Sequence, residues 1–178
     1  MKTPLQLTAL AICCLTAAAA AQDPASPVSD ALRSNAQRAG KNLVAAAEEM
    51  PADKYGFKPT PAQMSAGEIV AHLSEGNDYL CSKIGGAPAP KRSDLAKGAP
   101  KEKLVGRLKE TFQFCESALA KVNDSNLGAK VPFFGNREVT RAQAVLAAVE
   151  DWADHYSQLA IYLRLNGLLP PTAKRGQT

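Results

Sequence analysis

The chain has 178 residues, 46% of them hydrophobic, and its 21 basic and 17 acidic residues give a formal net charge of +4 at pH 7. This length suits one domain with a proper core. So small a positive charge does not indicate a nucleic-acid-binding surface. No stretch after the N-terminal segment approaches the ~20 apolar residues that a membrane span needs.

The first 21 residues have the features of a secretory signal peptide. Lys2 provides a short positive start, residues 7–15 are mostly apolar, and a run of alanines ending at Ala21 forms a small-residue cleavage pattern. The segment is too short for a transmembrane anchor. We therefore expect cleavage near Ala21 and a periplasmic or secreted protein.

Four amphipathic helices are predicted in the remainder of the chain, because apolar residues recur there at three- and four-residue spacing. They span residues 29–50, 65–85, 101–122 and 140–166. Two of the starts carry a capping box, formed by Ser65 with Glu68 and by Thr140 with Gln143. Around this helical domain, residues 30–171, we expect a flexible leader over residues 22–29 and a tail over residues 172–178.

Four helices of this length in one domain predict an all-α four-helix bundle. Between the second and third helices lies a linker, residues 86–100, that is rich in proline, alanine, lysine and glycine. Fully extended it spans ~50 Å, enough to return the chain so that the two helices run parallel. The segment before the fourth helix, residues 123–139, is predicted to be a loop without strands.

Cys81 and Cys115 are the only cysteines that remain after signal removal, and export places them in an oxidising compartment. They lie 16 residues after Ser65 and 15 residues after Pro100, respectively. Parallel helices would bring them to nearly the same height, whereas antiparallel helices with level ends would separate them by on the order of 15 Å. The sequence therefore predicts a disulfide and a crossover connection together.

The second and fourth helices carry a small polar set on their inner or edge faces. Asp151 and His155 are four residues apart and share one face of a helix, and His72 is the only other histidine. Two imidazoles and a carboxylate hold a divalent transition metal and leave coordination positions open. Glu75 and Gln158 are candidate partners of these ligands. Alternatively, Asp151 only orients His155, and His72 makes a hydrogen bond at the core edge.

Three segments of the chain resemble the DinB/YfiT-like superfamily, and its secreted bacterial members in particular. They are "YGFKPTPAQMS" (55–65), "EIVAHLSEGNDYLCSKIGG" (68–86) and "DWADHYSQLAIYLRLNGLLPP" (151–171). The resemblance covers about residues 30–171. It implies a four-helix bundle that binds a divalent metal through three histidines, one on the second helix and an HxxxH pair on the fourth.

Carried over to this chain, His72 matches the ligand on the second helix and His155 matches the second histidine of the pair. Asp151 stands at the position of the first histidine. Aspartate can replace imidazole as a ligand of zinc, iron or nickel, and the added carboxylate charge also suits manganese. The substitution equally fits a lineage that has lost its metal and kept the fold.

Characterised relatives of this superfamily include thiol-dependent transferases, so the resemblance implies a metal-dependent hydrolase or thiol transferase acting on a small molecule. The alternative is a non-catalytic periplasmic protein whose metal site is degenerate. Thiol transfer is the weaker expectation, because the periplasm lacks the abundant thiol cofactors of the cytosol. Neither the substrate nor the choice between a monomer and a homodimer follows from the sequence.

Overall fold

The computed structural model describes residues 26–96 and 98–174, so the predicted signal peptide lies outside the described residues. The long helices are α1 (Pro27–Glu49), α2 (Ala66–Gly85), α3 (Lys101–Leu119) and α4 (Arg141–Leu165), followed by a short α5 (Pro171–Lys174). Strands β1 (Lys130–Phe133) and β2 (Arg137–Thr140) form an antiparallel hairpin. The predicted all-α bundle is confirmed. Within the described ranges, no helix is long and apolar enough to cross a membrane.

The helices follow an up-down-down-up order. Along α2 and α3 the contacts advance in the same direction: Gly67 lies against Leu104 near one end and Gly85 against Ala118 near the other. These two helices are therefore parallel, as the crossover prediction requires. By contrast, α4 is antiparallel to α2, since the hydroxyl of Tyr162 late in α4 donates to the carbonyl of Met64, just before α2 begins (2.9 Å).

The crossover connection is fixed to both helices that it joins. The guanidinium of Arg92 pairs with Asp78 of α2 at 2.6 Å and with Glu110 of α3 at 2.9 Å. Only 16% of the Arg92 side chain is exposed, so this ion pair is better shielded than an ordinary surface pair.

The predicted pairing of Cys81 with Cys115 is confirmed. Their sulfur atoms are bonded, their Cα atoms are 5.0 Å apart, and both residues are buried between α2 and α3. The bond and the parallel direction of the helices agree, because parallel helices with level starts bring the two cysteines to nearly the same height.

A buried polar residue, Asn77, lies in the apolar core at the junction of three helices. Its Oδ1 accepts a hydrogen bond from Trp152 Nε1 of α4 at 2.6 Å, and its Nδ2 donates to Thr111 Oγ1 of α3 at 3.1 Å. The Trp152 indole packs edge-on against the ring of Phe112, with centroids 5.1 Å apart. Since all of these groups are buried, Asn77 fixes the position of α2 along both neighbours.

Three predicted boundaries differ from the structure. The third helix ends at Leu119, three residues before the predicted end, because the chain turns there and the N–H of Val122 donates to the carbonyl of Leu119 at 3.0 Å. The first helix begins at Pro27, two or three residues before the predicted start, because the Asp124 carboxylate accepts hydrogen bonds from the backbone N–H groups of Val28 and Ser29. At the other end, residues 172–174 of the predicted tail belong to α5. There Lys174 pairs with Glu49 of α1 at 2.7 Å.

The prediction of a loop without strands over residues 123–139 is wrong, because the segment contains most of the β1–β2 hairpin. Gly135 and Asn136 both have positive φ angles, 65° and 55°, and turn the chain between the strands. Glycine and asparagine adopt positive φ angles more readily than other residues, so this Gly-Asn pair is a turn signal in the sequence. At the tip, the ring of Phe134 stacks on Tyr79 of α2 with centroids 4.3 Å apart.

Candidate metal centre

His72, Asp151 and His155 meet where α2 faces α4. One ligand atom of each lies within 4.8 Å of the other two. Nε2 of His155 is 3.5 Å from Oδ1 of Asp151, and the two imidazole rings are 5.0 Å apart between centroids, at an angle of 74°. All three side chains predicted as ligands are therefore brought together by the fold.

The register of α2 against α4 follows from a contact close to these ligands. Trp152 directly follows Asp151, and Asn77 lies five residues after His72. Their buried hydrogen bond sets the height of one helix relative to the other. The helical spacing of Asp151 and His155 then presents both side chains to His72.

The three side chains differ in exposure. His72 is exposed, Asp151 keeps 35% of its side chain exposed, and His155 keeps only 7%. Nδ1 of His155 is buried and has no hydrogen-bond partner among the residues described. The site thus has a buried inner side and a side that solvent or a small molecule reaches.

The electrostatics of the site favour a cation. The hydrogen bond and charge of Asp151 raise the pKa of His155 above its ordinary value, although burial of the imidazole acts in the opposite direction. Asp154 and Gln158 add smaller contributions that also raise this pKa. The carboxylate therefore stabilises positive charge at this point, whether a proton on His155 or a metal ion.

The donor set fits a divalent ion. Two imidazole nitrogens and one carboxylate oxygen suit zinc, nickel, iron or manganese. Two ligands of one tetrahedral ion at bond lengths of about 2.0–2.2 Å lie roughly 3.4 Å apart, and Nε2 of His155 is 3.5 Å from Oδ1 of Asp151. The ligand atom of His72 lies within 4.8 Å of both.

The two predicted supporting residues take different positions. Gln158 donates its side-chain amide to Asp154 at 2.9 Å, which orients it beside His155. Glu75 is exposed one turn after His72 and forms no hydrogen bond or ion pair within residues 26–96 and 98–174. Sequence reasoning missed Asn77, because a lone asparagine on a helix carries no local signal that it is buried.

A family model described as the DinB superfamily matches residues 35–159, a span that includes all three candidate ligands. The chain belongs to the DinB superfamily. The family resemblance in the sequence is thereby confirmed, and the helical fold of this DinB protein agrees with it. Among curated proteins, none matches the chain significantly.

Solved structures support the same fold. A DinB-like protein (YjoA) from Bacillus subtilis is 23% identical, with a TM-score of 0.62 over 77% of this chain and 92% of that one. A DinB-like protein from Bacillus cereus is 14% identical, with a TM-score of 0.65 over 80% and 95%. A conserved protein from Enterococcus faecalis is 16% identical, with a TM-score of 0.60 over 76% and 94%. At these identities the likeness concerns the fold alone.

Proposed function

We propose that this DinB protein is exported and binds one divalent metal ion, zinc, nickel, iron or manganese, through His72, Asp151 and His155. We further propose that it acts on a small molecule as a metal-dependent hydrolase or thiol transferase. The observation that carries this proposal is the convergence of the three ligand atoms within 4.8 Å on a partly open face of the bundle.

Each side chain has a distinct part in this proposal. The buried His155 and the half-exposed Asp151 would hold the ion from α4, the Asp151 carboxylate would neutralise part of its charge, and His72 would complete the set from α2. A divalent ion held there supplies Lewis-acid chemistry, which lowers the pKa of a nearby water or thiol and polarises a carbonyl oxygen. The exposed side of His72 leaves room for a substrate to approach.

Export is supported by two independent features. The sequence of residues 1–21 has the pattern of a signal peptide, and the buried disulfide between Cys81 and Cys115 is typical of an oxidising compartment. In such a compartment the thiol cofactors of related transferases are scarce, so hydrolysis is the preferred reaction.

The alternative is a non-catalytic periplasmic DinB protein with a degenerate site. The contact between Asp151 and His155 supports this alternative, because the carboxylate already provides the buried imidazole with a partner. Whether the protein binds a metal ion decides between the metal-dependent enzyme and the non-catalytic protein.

Calorimetric titration of the metal-free protein with zinc, nickel and manganese tests the proposal. We expect the wild type to bind one ion, the His72→Ala/His155→Ala double variant to bind none, and Asp151→His to bind at least as tightly as wild type. Glu150→Ala, which removes an exposed carboxylate from the same helix, is the matched control. If no metal binds wild type more tightly than the double variant, the site is vestigial and the non-catalytic function is correct.

A further inference from the structure

A cavity of about 510 Å³ lies beside the candidate metal centre, between the N-terminal halves of α2 and α3 and the crossover connection. Its apolar walls include Tyr55, Ala71, Leu95, Ala99 and Leu104. Cavities of ~300–1,000 Å³ with apolar walls and a few polar groups are the usual size and character of small-molecule sites.

We propose that this cavity is the substrate pocket of the metal site and that it takes a small molecule with an apolar body and a protonated amine. This inference rests on the proposed function, to which it adds a substrate class. It is carried by the position of His72 and by the charges at the cavity rim.

His72 lines the cavity and is also one of the three candidate metal ligands. Among the residues that the structure describes, it is the one that belongs to both sets. Glu68, His72 and Glu75 are spaced at i, i+4 and i+7 on α2, so they form one stripe along the cavity. A molecule that lies along this stripe therefore reaches the side chain that also faces Asp151 and His155.

The rim of the cavity is acidic. Glu75 and Glu102 are exposed and form no ion pair within the described ranges. Lys101 is the one lysine or arginine of the described lining, and its Nζ is engaged, donating to the carbonyl of Glu48 at 2.6 Å. It also lies 5.9 Å from the centroid of the Tyr55 ring. Three glutamates, Glu68, Glu75 and Glu102, line the cavity against this one lysine, so a cationic group on the ligand meets a net negative charge.

Burial raises the pKa of Tyr55, and the charges of Glu102 and Glu48 raise it further. Of these two glutamates, Glu102 lines the cavity and Glu48 does not. The rim carboxylates do not converge on a point: in the described part of the chain, only His72, Asp151 and His155 come close enough to hold a metal. Spread carboxylates over an apolar floor suit an organic cation better than a second metal ion.

Binding of three matched probes to the zinc-loaded protein, followed by amide chemical shifts in NMR, tests this inference. The probes are phenethylamine, the neutral 2-phenylethanol and the anionic 3-phenylpropanoate. We expect phenethylamine to bind most tightly and to perturb residues that line the cavity, and 3-phenylpropanoate to bind most weakly. Equal or tighter binding of the anion, or perturbations confined to another surface, would overturn the inference.

Substitutions of the rim glutamates test which side chains bind the amine. Glu75→Gln and Glu102→Gln should each weaken phenethylamine binding roughly two- to fivefold and leave 2-phenylethanol binding unchanged, because only the charge is removed. The matched control is Glu116→Gln, an exposed glutamate of α3 that does not line the cavity. An effect of the control as large as that of the rim variants would contradict a specific amine site.

Cobalt(II) in place of zinc separates the two proposals. Paramagnetic broadening of bound phenethylamine would place the cavity beside the metal, as we expect. If cobalt binds and the probe binds without broadening, or does not bind at all, this inference fails and the proposed function stands. If cobalt is not taken up, the proposed function fails, and the pocket loses its role with it.

Discussion

At the residue scale, Asp151 is the side chain that distinguishes a metal site from a structural pair. Its carboxylate lies 3.5 Å from Nε2 of His155 and raises the pKa of that imidazole. Both effects are expected of a ligand and of a hydrogen-bond partner. In the metal-free protein, however, the electrostatic part of this interaction is directly measurable.

We predict that Asp151→Asn lowers the pKa of His155 in the metal-free protein, as measured by NMR titration of the imidazole signals. Asp154→Asn should lower it less, because Asp154 makes a smaller contribution. Since the folded-state pKa of His155 is raised, the pair stabilises the fold fully below the unfolded value of ~6.5 and ceases to do so as the pH rises through the folded value. In urea titrations, the free energy of unfolding of wild type should therefore exceed that of Asp151→Asn near pH 5.5, and the two values should agree at pH 9. A difference at pH 9 that is absent at pH 5.5 would contradict the pairing.

Asn77 connects the buried core to the candidate metal centre, because it accepts a hydrogen bond from Trp152, the residue next to Asp151. Replacement by alanine leaves the buried Nε1 of Trp152 without its acceptor, so we predict a loss of about 1–3 kcal/mol in the free energy of unfolding. Denaturant titration measures this loss. Gln113→Ala, at an exposed position of α3, should change stability by no more than ~0.5 kcal/mol. Equal effects of the two changes would show that the Asn77 contacts contribute nothing.

At the element scale, the helix starts show what local sequence can and cannot predict. The capping boxes of α2 and α4 were predicted, because both partners lie within four residues of each other. The start of α1 was placed too late, because its capping carboxylate, Asp124, comes from beyond α3. Such a contact exists only once the bundle is assembled, so no local pattern encodes it.

We predict that Asp124→Asn lowers the melting temperature of the protein by a few degrees at neutral pH. The hydrogen bonds from Ser29 and Val28 lower the pKa of Asp124, so its contribution is present above the unfolded pKa and is lost as the pH falls through the folded one. The melting curves of the two proteins should therefore converge in strong acid. A difference that is constant with pH would mean that the charge of Asp124 is irrelevant to the cap.

At the scale of the whole molecule, the disulfide and the crossover connection determine the topology. The 34-residue separation of Cys81 and Cys115 corresponds to a loop-closure contribution of about 4 kcal/mol in the chain-entropy estimate. We predict a loss of that order in the free energy of unfolding for Cys81→Ser/Cys115→Ser. The check is denaturant unfolding compared with reduced wild type, which should lie close to the double variant. Two titratable thiols in the unreduced, denatured protein would contradict the bond.

The sequence predicted the bundle and the parallel pair, because helical periodicity and cysteine count are local or countable properties. It predicted the three converging side chains from the four-residue spacing of Asp151 and His155 together with the family resemblance, which matches His72 to the ligand on the second helix. It missed the hairpin although Gly135 and Asn136 form a local turn signal, and it did not predict the packing of the hairpin on α2 or the cavity beside His72. Both depend on contacts between distant segments, such as the Phe134 ring on Tyr79 and the crossover wall opposite His72.

The central claim is that His72, Asp151 and His155 together hold one metal ion. Anomalous diffraction from crystals grown with zinc, with data collected on both sides of the zinc absorption edge, tests it most directly. The account predicts a single strong anomalous peak between these three side chains in wild type and none there in His72→Ala/His155→Ala. Wild-type crystals with no peak at this position, or with zinc only at other surface residues, would contradict it.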